Sequence, residues 1–73
     1  MRDSNLVICI DNSDYPASLE NRKVYETVAD DEAAKHGQIR VIDESGEDYL
    51  YPDSCFVEAN LPDEVRAAVV NAV

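Results

Sequence analysis

Apolar positions along this chain come in short runs separated by polar turns. Leu6, Val7, Ile8, Cys9 and Ile10 are apolar without interruption, which predicts a first strand over 6–10 covered on both faces. Residues 11–21 carry Asp, Asn, Ser and the pair Tyr15-Pro16, the chemistry of a long turn-rich loop, with Leu19 placed to turn back on the core. A second strand is expected over 22–29, through Val24, Tyr25, Thr27 and Val28. Residues 30–37 then read as a short helix. Asp30 is its N-cap, Asp31 and Glu32 sit at its positive end, Lys35 and His36 at its negative end, and Gly37 stops it. A last strand is expected over 55–59. Pro62, Asp63 and Glu64 open a C-terminal helix over 61–73. Leu61, Val65, Ala68 or Val69, and Ala72 make one apolar stripe on it. So short a helix is marginal alone, so it is expected to dock on the first strand or on a second copy.

The chain is organised around residues 38–57. Ile39, Val41 and Ile42 favour strand, as do Tyr49, Leu50 and Tyr51, and Asp43-Glu44-Ser45-Gly46-Glu47 between them is turn material. Gly46 takes the positive φ that a type I turn closed by a glycine bulge requires. That turn pairs Val41 with Tyr49 and Ile39 with Tyr51 on one face. A loop one residue longer pairs Val41 with Leu50 and exchanges the faces; the first register is preferred. Pro52 has no N–H and ends the second strand of the hairpin, and Pro52-Asp53-Ser54 turns the chain.

With 73 residues the chain is read as a single domain, 5–59 forming the β-structure and 61–72 the helix. A domain this small buries only about 60% of its unfolded surface, so its stability is marginal without a staple, a closed barrel or a partner. Its Asp and Glu number 16 against 6 Lys and Arg, a net charge of −10. Such a surface repels nucleic acid and anionic lipid and suits solubility or a basic protein partner. The start of the chain lacks the long apolar core and small-residue cleavage site of a signal peptide. No apolar run approaches the roughly 20 residues of a membrane span. A cytoplasmic protein is expected. Cys9 and Cys55 sit in apolar strands and are expected to be reduced core residues. His36 is the only histidine and there is no CxxC, so no zinc site, and no other metal or cofactor, is expected.

The order of elements resembles the SH3-like barrel. Residues 11–21 fall where that fold keeps its largest loop, and Ser45-Gly46 falls at its distal hairpin. Tyr51-Pro52-Asp53-Ser54-Cys55-Phe56-Val57 is similar to its ending of proline, one 3₁₀ turn, aromatic and valine. The likeness covers 6–59 in layout and about seven residues in motif. The chain also resembles small uncharacterised bacterial and phage proteins that share Cys9-Ile10-Asp11-Asn12, Lys23-Val24-Tyr25 and the hairpin Ile42 to Pro52, read as IDxSGExYLYP. These resemblances imply a mainly β fold: a small five-stranded SH3-like barrel with a short helix in a loop and a C-terminal helix. They imply no activity. SH3 domains line their groove with aromatic residues; Tyr15, Pro52 and Phe56 fall at groove-like positions, and Asp11, Asp14 and Glu20 resemble the acidic loop that meets a basic ligand. The chain has no tryptophan and lacks the paired ALYDY tyrosines, so a polyproline groove is not implied.

Catalytic chemistry is hard to assemble from these residues. Asp11-Asn12-Ser13-Asp14 lacks the glycine and distant glutamate of a calcium loop. The two glycines each have a turn to explain them, which leaves no phosphate loop. A cysteine nucleophile needs a nearby base, whereas Cys9 lies inside an apolar strand and His36 has a helix end elsewhere to explain it. Tyr25, Tyr49, Tyr51 and Phe56 are read first as core. The expected function is a non-enzymatic binding or regulatory module for a protein partner, with Tyr15, Pro52, Phe56, Asp11, Asp14 and Glu20 as the candidate ligand surface. The alternatives are an acidic mimic of nucleic acid that inhibits a basic protein, and a structural protein that self-associates through its C-terminal helix as a homodimer.

Overall fold

The computed structural model describes residues 6–71. The expected fraying of residues 1–5, and Ala72 of the helical stripe, lie outside them. Five strands follow the sequence pattern: β1 (Leu6–Cys9), β2 (Val24–Val28), β3 (Gln38–Ile42), β4 (Asp48–Pro52) and β5 (Phe56–Glu58). Helix α1 (Asp31–Lys35) joins β2 to β3, one 3₁₀ turn (Asp53–Cys55) joins β4 to β5, and α2 (Asp63–Asn71) closes the described chain. All pairings are antiparallel, in the order β4-β3-β2-β1-β5.

The mainly β class, the five strands and both helices match the sequence expectation; the sheet, however, is open. Its edges are β4 and β5, and among the described residues no ladder joins them. The 3₁₀ turn carries the chain from one edge to the other without pairing, since Pro52 offers no N–H and Phe56 spends its own on the Asp53 carbonyl. Three strands are shorter than their apolar runs suggested. β1 stops at Cys9 and leaves Ile10 53% exposed, β2 starts after a turn in which Arg22 takes φ 69°, and Cys55 belongs to the 3₁₀ turn rather than to β5.

Alternation along the strands sends one face inward. Val7 and Cys9 of β1, Tyr25 of β2, Val41 of β3 and Tyr51 of β4 meet in one cluster, completed by Leu19, Cys55 and Phe56. Leu19 arrives from the 11–21 loop and is 2% exposed, as its lone apolar position there suggested. Each such fully buried side chain contributes on the order of 1.5–3 kcal/mol. Both cysteines are buried and free.

The hairpin takes the preferred register, Val41 opposite Tyr49 and Ile39 opposite Tyr51. Gly46 has φ 84° and donates its N–H to the Asp43 carbonyl at 2.9 Å. The Asp43 carboxylate accepts from the Ser45 amide at 2.8 Å, from the Ser45 hydroxyl, and from the Tyr51 hydroxyl. The Glu44 amide donates to the Ser18 carbonyl at 3.1 Å, which fastens the turn to the 11–21 loop.

Helix α2 departs from expectation. None of its residues is buried, and Val65, Val69 and Val70 remain exposed. Arg66 is half-buried, with Nε covered and without a hydrogen-bond partner. The apolar stripe is real, but the described residues do not cover it.

Candidate functional site

Two regions bear on function: the aromatic row behind the 11–21 loop, and a groove at the other end of the inner face. The row is built from side chains that β2, β4, β5 and the loop send inward. The Tyr15 ring meets Tyr51 edge-on at 4.9 Å, Tyr51 meets Phe56 at 6.2 Å, and Phe56 meets Tyr25 at 6.4 Å. T-shaped contacts of this kind add about 0.5–1.5 kcal/mol each beyond the area they cover. The Tyr25 end of the row is held by the hairpin turn. The Tyr25 hydroxyl donates to Glu44 Oε2 at 2.6 Å and accepts from the Glu20 amide at 2.8 Å. Lys23 Nζ meets the same Glu44 oxygen at 2.6 Å. Burial and the hydrogen bond to Glu44 push the Tyr25 phenol well above its ordinary range.

The row settles where the expected ligand surface lies. Phe56 is in the core at 7% exposure, Tyr15 is half-buried on Tyr51, and Pro52 is half-buried at the end of β4. Asp11, Asp14 and Glu20 are exposed along the loop. Asp11 is occupied locally, accepting from the Ser13 hydroxyl at 2.7 Å and the Ser13 amide at 3.0 Å, which hold its carboxyl below the usual range. Three of the four residues read as core, Tyr25, Tyr51 and Phe56, are buried; Tyr49 is 49% exposed, with its hydroxyl on Glu47 at 3.0 Å.

The groove, about 480 Å³, is open to solvent. Val7, Ile39 and Phe56 form its apolar floor, Val28 and Val57 its exposed apolar rim, and Asp30, Asp31, Asp53 and Glu58 its acids. Of the expected surface only Phe56 lines it. Local folding explains the placement. Asp30 caps α1, one oxygen accepting from the Ala33 amide at 3.0 Å and the other from Arg40 Nε of β3 at 2.9 Å. The amide and then the guanidinium hold Asp30 below the usual carboxylate range. The Asp53 amide donates to the Gly37 carbonyl at 3.0 Å, which sets the 3₁₀ turn against the end of α1. Asp31, Asp53 and Glu58 have no ion-pair partner among the described residues.

Sequence reasoning explained Asp30 and Asp31 by the helix start alone and Asp53 by the turn after Pro52, and passed over Arg40 and Glu58. One signal was present: Arg40 interrupts an otherwise apolar strand, Ile39-Arg40-Val41-Ile42. What Arg40 meets depends on the β2–β3 connection folding back, and no local pattern encodes that.

The groove supplies shape and charge without an activated nucleophile. Cys9 is sealed in the core, its thiol on Asn21 Oδ1 at 3.7 Å, and burial pushes the Cys55 thiol up. His36 stands exposed at the end of α1, 3.7 Å from Glu32. Among the described residues no group of His, Cys, Asp or Glu is arranged to hold a metal ion, and no helix is long and apolar enough to cross a membrane. No protein-family model, curated protein or solved structure matches the chain.

Proposed function

We propose that this chain is a non-enzymatic binding module that works in the cytoplasm on an SH3-like half-barrel, and that the groove over Val7, Ile39 and Phe56 is its binding face. The observation that carries this reading is the groove itself. Its size falls within the range of ligand sites, about 300–1,000 Å³. Its floor is apolar, and Val28 and Val57 are left 37% and 46% exposed on its rim. The strand order and the 3₁₀ turn before β5 support the SH3-like description, with the edge between β4 and β5 left open. Acids lie on the 11–21 loop, α1, the hairpin turn, β5 and α2. That spread favours a module over a mimic of a phosphate backbone, which needs its charges in rows.

Selection from a random peptide display library tests the reading. Peptides enriched on this protein should fail to bind the Val57→Arg protein, whose long side chain crosses the groove, and should still bind the Tyr15→Ala protein. Peptides indifferent to Val57→Arg would remove the groove from the reading.

A further inference from the structure

The chemistry of the rim says more about the occupant than the shape of the floor does. Four carboxylates surround the groove and one guanidinium faces them. Asp30 has both oxygens engaged, by the Ala33 amide and by Arg40, so the one cation that lines the groove among the described residues is already committed. Asp31, Asp53 and Glu58 are exposed and have no ion-pair partner among the described residues. They stand around apolar side chains that water solvates poorly. A polyanion would meet repulsion here, and a neutral apolar segment would lower the hydration of three carboxylates without compensation. A side chain with an aliphatic stem and a cationic head satisfies both surfaces at once.

We infer that the groove binds an extended protein segment that lays aliphatic side chains on Val7, Ile39 and Phe56 and brings lysine or arginine to Asp31, Asp53 and Glu58. The inference rests on the reading of the groove as the binding face and adds the chemistry of the partner. Arg40 then works against the ligand: it anchors the floor through Asp30 and holds a positive charge where the ligand's own charge arrives.

The composition of the peptides recovered in the display selection, and their affinities for rim variants, test this. Lysine or arginine beside Val, Ile or Leu should be enriched. Affinity should fall on moving from low to physiological salt, as a charge-guided complex does. Asp53→Asn and Glu58→Gln should each weaken binding about two- to fivefold, the scale of one partly exposed charge pair. Arg40→Gln should tighten binding about twofold while it lowers thermal stability, a combination that a purely structural role for Arg40 does not produce. Enrichment of neutral or acidic peptides that still fail on the Val57→Arg protein would overturn the cationic partner and leave the binding face intact. Absence of any enrichment over the Val57→Arg protein would overturn both. Equal binding of a single-stranded oligonucleotide would overturn the assignment to a protein segment.

Discussion

Asp43 fixes the hairpin turn through one carboxylate. It is 7% exposed, yet it stays charged because each oxygen has a donor: the Ser45 amide and hydroxyl on one, the Tyr51 hydroxyl on the other. Burial pulls its pKa up, but the bonds from the Ser45 hydroxyl, the Tyr51 hydroxyl and the Ser45 amide together outweigh burial and hold it below the ordinary 3.8. Glu44 is held below 4.5 by its bonds from Lys23 and Tyr25. A carboxylate lowered in the fold adds stability above its unfolded pKa and loses it as the pH falls through the folded one. Stability should therefore hold from neutrality down to about pH 4.5 and decline below it. Asp43→Asn leaves one donor of the turn unmatched. It should cost about 1–3 kcal/mol at neutral pH and flatten the acid decline, both read from urea unfolding across the pH range. Tyr51 gives the opposite sign. Burial first, and then the bond to Asp43, raise its phenol from 10.0 to about 12. Its contribution is intact below pH 10 and is lost as the pH climbs toward 12. An absorbance titration of tyrosinate should show a late-ionising phenol that Tyr51→Phe removes.

At the scale of the element, the hairpin is the part of this fold written most locally. Gly46 sits at φ 84° with open space where a side chain would begin, so a Cβ there meets no neighbour and the cost of adding one is the backbone conformation itself. Gly46→Ala should cost about 1–2 kcal/mol, and Gly46→Asn less, since asparagine visits the left-handed region more readily; paired urea melts separate the two. That locality is why the turn and both strand ends at Asp48 and Pro52 were legible from sequence, and why the register was narrowed to two: each depends on residues within a few positions of one another. Helix α1 was legible for the same reason, with Asp30 on the Ala33 amide as its N-cap chemistry implied. Elements that rely on distant partners were not. The stripe of α2 states that Val65 and Val69 share a face and says nothing about what covers them, and the described fold leaves them exposed. The uninterrupted run at β1 suggested cover as far as Ile10, but the edge strand β5 that pairs with β1 is only three residues long. The candidate surface was dispersed for the same reason: Phe56, four residues on from Pro52, is turned inward between Tyr51 and Tyr25, and of that surface it alone lines the groove.

For the whole molecule the deciding quantity is net charge against size. Ten excess negative charges reside on a body with extents of 32 × 25 × 20 Å. At about 10 mM salt the screening length is about 30 Å, so every acid repels every other across the fold; at about 150 mM it is about 8 Å and only neighbours interact. Salt also weakens the attractive pairs, Lys23 with Glu44, Lys35 with Glu32 and Arg40 with Asp30. Those pairs are exposed or half-exposed, so solvent already screens them and each contributes little to stability. Two of the three, moreover, stay within 2.9 Å, where screening reaches least. Long-range repulsion is therefore lost faster than local attraction, and it opposes the compact state more than the expanded one. The melting temperature should rise as sodium chloride is added from low to physiological concentration, and sulfate should raise it no further than its ionic strength and exclusion from the surface account for. A melting temperature that falls over that range would mean the local pairs outweigh the excess charge. The peptide bound in the groove should then show the reverse trend from the fold itself. If the acids that repel one another across the fold are the ones that attract a ligand, its affinity should decrease over the same salt range in which the free protein becomes more stable.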